Sequence, residues 1–181
     1  MPDILLILNL RQLITVVQKK YRTNRLQLNP LILGDAAFIC ELFNTEHYIK
    51  FIGDRNIKTR EDALKFIHKT ADNSNINYWI VKLKNDEKPV GLISFIKRDY
   101  LDHYDLGFAF LPEFSNKGYA FEAAEKVLND FLPDPNHQTI LAITMVNNHR
   151  SIKLIEKLGF RLDKEIEKDN EKLFLYSINP S

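Results

Sequence analysis

The chain has a single cysteine, Cys40, so no intramolecular disulfide can form. Its place in an apolar helical pattern predicts a buried structural thiol rather than a nucleophile. Cytoplasmic residence is the expectation that follows. Excess charge is missing as well: 25 Lys and Arg stand against 24 Asp and Glu, a formal net charge of +1. That balance gives nucleic acid no electrostatic footprint to bind, so no nucleic-acid partner is expected. There is no Cys/His set at metal-ligand spacing, so no metal is expected, and no GxxxxGK[ST] phosphate loop, internal repeat or low-complexity tract occurs. The apolar run from Ile4 to Val17 is too short to cross a bilayer and is interrupted by Asn9, Arg11 and Gln12. It follows Met1-Pro2-Asp3 rather than a basic start, so neither a secretory signal nor a membrane partner is expected.

What is present suits one α/β domain. At 181 residues and 45% hydrophobic the chain can bury a proper core. It divides into an apolar extension, residues 1–24, and a domain, residues 25–181. In the extension Leu6, Leu10, Leu13, Ile14 and Val17 have helical spacing, with a strand over Ile4 to Leu8 as the alternative. Such a stripe is costly to leave in water, which predicts docking on the domain or, in a homodimer, on a second subunit.

Alternation before a proline suits a first strand over Arg25 to Leu31, and Leu33 to Phe43 reads as a helix. Thr59 is a good N-cap for a helix over Arg60 to Ala71, with Asp62 placed to complete a capping box. Tyr78 to Leu83 and Val90 to Ile96 read as a hairpin, and Asp102 to Phe110 adds beside it. The β-branched run Thr139 to Thr144 suits a buried parallel strand. Asn148 caps a helix that ends at Gly159, and Phe160 to Glu167 with Lys172 to Ile178 form a closing hairpin. Strands and helices in this order predict an α/β fold with a central, mostly antiparallel sheet.

Leu106 to Phe131 carries the functional signal. Leu106 to Phe110 alternates like a strand, Pro112 stops ladder pairing, and Ser115-Asn116-Lys117-Gly118 is turn chemistry. Ala120, Ala123, Ala124, Val127, Leu128 and Phe131 then make one apolar stripe of a helix. A helix opening on a glycine loop offers unpaired N–H groups and the positive end of its dipole, which suits a phosphate. Strand-turn-helix units with one glycine also occur in domains that bind nothing, so the loop alone leaves both readings open.

Three segments resemble the GNAT acetyltransferase superfamily. Ser115 to Ala120 resembles its acetyl-coenzyme A loop, [QR]-x-x-G-x-[GA], with Gly118 and Ala120 matching and Ser115 standing where Gln or Arg is usual. Asn147 to Phe160 resembles the N-x-x-S…EKLGF segment. Ile52-Gly53-Asp54-Arg55 followed by Thr59 to Ala63 resembles the ribosomal-protein N-terminal acetyltransferase branch. The resemblance spans about Arg25 to Ser177.

It implies a twisted sheet flanked by helices, with two strands splayed to admit the pantetheine arm of acetyl-coenzyme A. By the same resemblance a backbone N–H near Phe110 and Leu111 faces the thioester oxygen, and the loop of Ser115, Asn116, Lys117, Gly118, Tyr119 and Ala120 holds the diphosphate. Asn148 orients the cofactor and Ser151 protonates the departing thiolate. Asp105 and His103, with Tyr104 beside them, are the candidate bases, although Asp105 reads first as a solvated strand-end carboxylate. Tyr48 and Arg55, with Phe51 and Ile52, are candidates for the acceptor wall. The expected reaction is acetyl transfer to a protein N-terminus or a small-molecule amine. A catalytically silent acyl-coenzyme A sensor or scaffold is the alternative.

Overall fold

A computed structural model describes residues 19–180. The helix or strand expected across Ile4 to Val17, and any dimer contact it makes, lie outside the described residues. The strands are β1 (Tyr21–Arg22), β2 (Leu26–Pro30), β3 (Ile76–Leu83), β4 (Pro89–Lys97), β5 (Tyr104–Phe110), β6 (Ile140–Met145), β7 (Arg161–Lys168) and β8 (Glu171–Ile178). The helices are α1 (Ala36–Phe43), α2 (Glu46–Phe51), α3 (Arg60–Ala71), α4 (Tyr119–Phe131) and α5 (His149–Lys157). One sheet runs β1-β2-β3-β4-β5-β6-β8-β7, antiparallel throughout except at β5 and β6.

The period of two in the strands sorts side chains onto two faces. In β3, Trp79 and Val81 join the core under α4 and α5, while Tyr78 and Ile80 join the core under α1, α2 and α3. The α4 stripe of Ala123, Ala124, Val127 and Leu128 is buried against the first face. Each Val or Leu so buried contributes about 1.5–3 kcal/mol, and the alanines let the helix axis approach the strands. On the second face, the Thr59 hydroxyl accepts from the Asp62 N–H at 3.1 Å while Asp62 accepts from the Thr59 N–H at 3.0 Å, which completes the capping box. That reciprocal pair fixes where α3 starts.

Some boundaries differ from the sequence expectation. The helix expected from Leu33 opens with a 3-10 turn, Leu33–Asp35, before α1. Cys40 is only partly buried on α1. Tyr21 and Arg22 pair with β2, and buried Tyr21 packs edge-on against Trp79 at 5.5 Å. A two-residue strand is too short to show periodicity in a sequence.

The feature that positions the site is a divergence. β5 is committed to β4 from Lys97↔Tyr104 to Gly91↔Phe110, and β6 to β8 from Ile140↔Ile178 to Met145↔Leu173. Between β5 and β6 there is one register pair, Asp105↔Leu141. β6 is therefore parallel to β5 at its start but antiparallel to its other neighbour, and beyond Asp105 a wedge opens between the two strands.

Candidate active site

The wedge is the inner part of a cleft of about 740 Å³. Its walls are β5 and the end of β6, the loop leading into α4, the first turns of α5 and, across the mouth, α2. Backbone polarity follows from the ladder. The Leu111 N–H donates to the Val90 carbonyl at 3.0 Å, so in the alternating antiparallel pattern the N–H groups of Phe108 and Phe110 point away from β4 and into the wedge. Leu111, by contrast, is buried with its amide already used, and it does not line the cleft.

After the 3-10 turn Pro112–Phe114 the loop reverses through Asn116 at φ 59° and Gly118 at φ 78°, and Gly118 is the N-cap of α4. Such φ values favour a residue without a Cβ. Ser115, Asn116, Gly118, Tyr119 and Ala120 line the cleft; Lys117 does not, and its ammonium sits over the Phe114 ring at 5.1 Å. The loop is held from outside by Arg25, which the sequence reading missed. Its Nε lies 2.6 Å from Glu122 Oε2, its Nη1 donates to the Lys117 carbonyl at 2.9 Å, and its guanidinium stacks on Tyr119 at 4.5 Å. Thr23 adds a hydroxyl bond to Glu122 at 2.5 Å.

On the α5 side, buried Asn148 accepts from the Ser151 N–H at 3.3 Å, so its side chain is the helix cap. Ser151 lines the cleft half-buried, and its hydroxyl makes no hydrogen bond among the described residues. Asp105 is not the solvated carboxylate expected: strand alternation turns it inward, and it is 2% exposed. Arg98 grips it in a fork, Nε at 2.5 Å and Nη2 at 3.2 Å. Burial pushes the Asp105 carboxyl up from the usual range, with the Arg98 guanidinium opposing it. His103 is not brought to the cleft. It lines a second cavity of about 670 Å³, among Tyr100, Leu101 and residues of β6, β7 and β8. Tyr104 is also turned aside, stacked on Phe95 at 4.8 Å.

Across the mouth, Tyr48, Phe51, Ile52 and Arg55 all line the cleft. Burial pushes the Tyr48 phenol up to about 12, with Arg55 pulling the other way, so it is a neutral donor at pH 7. His47, unremarked in the sequence, lines the same wall beside the Phe51 ring at 4.7 Å. Its burial, then the charges of Arg150 and Lys50, lower its pKa, which leaves a neutral imidazole. The only local hint was a histidine one turn before an aromatic; the approach of Arg150 is tertiary. Among the described residues no group of His, Cys, Asp and Glu could hold a metal ion, and no helix is long and apolar enough to cross a membrane.

The arrangement therefore offers, in one cleft, N–H donors in a split sheet, an anion-suited helix start, a free hydroxyl and a neutral imidazole. Comparisons with known proteins agree with that geometry. The acetyltransferase (GNAT) domain family matches residues 25–161. The uncharacterized N-acetyltransferase YnaD of Bacillus subtilis (strain 168) is 30% identical over 153 residues, 82% of this chain and 89% of that protein. The crystal structure of a GNAT-family acetyltransferase from Bacillus anthracis has TM-score 0.76 at 26% identity, covering 90% of this chain and 99% of the other. Ribosomal-protein-S5-alanine acetyltransferase from Vibrio fischeri shares the fold, with TM-score 0.76, 22% identity and coverage of 90% and 97%.

Proposed function

The chain belongs to the GNAT acetyltransferase family, and we propose that it transfers the acetyl group of acetyl-coenzyme A to a primary amine, on a protein N-terminus or a small molecule. The observation that carries this reading is that the inward N–H groups of Phe108 and Phe110 and the N-terminal loop of α4 open onto the same cleft. A solved relative of this fold, spermidine N-acetyltransferase from Vibrio cholerae at 18% identity and TM-score 0.76, was determined with coenzyme A and spermine.

Bound acetyl-coenzyme A would supply an activated thioester: the amine nitrogen bonds to the acetyl carbon as the carbon–sulfur bond breaks, leaving an amide and a thiol. The chain's own groups meet each need of that exchange. The loop N–H groups from Asn116 to Ala120 bind phosphate oxygens, with Gly118 leaving room for their approach. The Phe110 N–H donates to the oxygen on which negative charge grows. Ser151 holds the proton required at the sulfur side, and Asn148 keeps the start of α5 in place for it. Neutral His47 is the group on the acceptor wall suited to take the amine's proton near pH 7.

The test is release of free thiol from acetyl-coenzyme A across a panel of amines and N-terminal peptides. Thiol release that depends on the amine is the expected result. Calorimetric binding of coenzyme A without thiol release from any amine would mark the chain as a silent sensor instead.

A further inference from the structure

We propose that the acceptor carries an anion, a carboxylate or a phosphate, within a few bonds of the amine that is acetylated; this rests on the amine-acetylation reading above. The charged groups at the acceptor end of the cleft are Arg55 after α2, Arg98 just after β4, Asp105 on β5, and Arg150 in the first turn of α5. Arg98 and Asp105 neutralise each other through their fork. Arg55 and Arg150 are exposed and make no ion pair among the described residues. Asp105 is the one carboxylate among the cleft-lining residues. Two lysines lie further along α5, Lys153 and Lys157, and Lys157 sits over Phe121 of α4 at 4.3 Å, on the side of the α4 loop.

Two unbalanced guanidiniums therefore face an incoming acceptor. Their field reaches the α2 wall: Arg150 disfavours the imidazolium of His47, and Arg55 favours the phenolate of Tyr48. The same field acts on an approaching ammonium and lowers its pKa, which raises the fraction present as the neutral nucleophile. It also repels a polycation, while an acceptor with its own anion gains two bidentate partners that orient its amine. The surface thus disfavours polyamines and selects an anionic amine.

The experiment uses the full chain and matched acceptors: Ala-Glu-Glu and Ala-Lys-Lys peptides, glutamate, phosphoethanolamine, and spermidine. Thiol release gives kcat/KM, and calorimetry on the coenzyme A complex gives binding without turnover. Acidic acceptors should exceed their cationic counterparts by about tenfold or more, with the margin shrinking as salt rises from about 0.05 to 0.5 M. The order among peptide, amino acid and phosphoamine then identifies the source of the anion. The paired substitution Arg55→Glu and Arg150→Glu, at exposed positions, should reverse the preference. Equal or better use of cationic acceptors by the native chain would overturn the proposal, as would acidic ligands binding no more tightly than cationic ones. Arginine-dependent binding of acidic ligands with no thiol release from any amine would support the charge selection while removing the acetylation reading.

Discussion

Arg25 is bonded to Glu122, 97 residues away, and through the same guanidinium to the carbonyl of Lys117. Glu122 sits in the first turn of α4, where a carboxylate also suits the helix dipole. The pair therefore straps the anion-suited loop to the edge of the sheet. Arg25→Ala should weaken coenzyme A binding about tenfold, the loss of roughly 1–2 kcal/mol of charged hydrogen bonding, with a smaller change in unfolding free energy. Arg25→Lys should recover only part of it, since an ammonium cannot span both acceptors in the fork geometry. Calorimetric titration measures both, and an unchanged affinity in the alanine variant would reduce the strap to a surface contact.

The same carboxylate sets an acid limit. Burial raises the Glu122 pKa, but the bonds from Thr23 and from the backbone and guanidinium of Arg25 outweigh it and hold the group below its ordinary value. A folded-state pKa below the unfolded one adds stability that is fully present above the unfolded pKa of about 4.3 and is lost as pH falls through the folded value. Urea melts from neutral pH down through about pH 3 should therefore show a smaller acid slope for Glu122→Gln than for the native chain. Parallel slopes would mean that the carboxylate is paired in the unfolded chain as well.

Gly118 and Gly159 both have left-handed backbone, at φ 78° and 93°, but they serve different ends. Gly159 follows α5, and Gly159→Ala should cost about 1 kcal/mol of stability without touching coenzyme affinity. At Gly118 an added Cβ would also meet Arg25 Nη2 at 3.3 Å. Gly118→Ala should therefore lose a similar amount of stability and, in addition, several-fold or more in coenzyme A affinity, on the order of 1 kcal/mol. Equal effects of the two substitutions on affinity would contradict the role given to the loop.

The strap, the Asp105 fork and the His47 environment share the reason they were hard to read from sequence. The loop and α4 were legible because turn residues, a glycine and an apolar stripe follow one another without interruption, and α3 because its capping box spans four adjacent positions. Asp105 looked solvated because its partner could be named only once strand alternation had turned it inward beneath Arg98. Arg25 and His47 acquire their roles from elements that meet only after folding. The β-branched composition of β6 predicts a buried parallel strand, and β6 is parallel to β5, but at one register pair, while it runs antiparallel to β8 along its whole length. Composition shows that a strand is buried; it does not say which edge is left without a partner.

Because Asp105 is buried and forked by Arg98, its first contribution is to the fold. Asp105→Ala leaves a half-buried guanidinium uncompensated and should cost about 3 kcal/mol in denaturant unfolding. Pairing it with Arg98→Met should restore much of that loss, since the pair is then removed together. Failure of the double variant to recover stability would show that the carboxylate has partners beyond Arg98.

Ser151 and Asn148 separate chemistry from capping. Asn148→Ala removes the oxygen that accepts from the Ser151 N–H, so it should lower stability by about 1 kcal/mol through the lost cap. Ser151→Ala leaves that cap intact and removes a hydroxyl that faces the cleft without a partner among the described residues. Its turnover number should fall about tenfold, a modest value for proton transfer because a thiolate is a good leaving group even without a donor. Acetyl-coenzyme A affinity should hold, and Ser151→Thr should restore part of the rate. A drop in affinity equal to the drop in turnover would make Ser151 a binding residue. An unchanged turnover number would leave water as the proton source and Ser151 as a bystander in the first turn of α5.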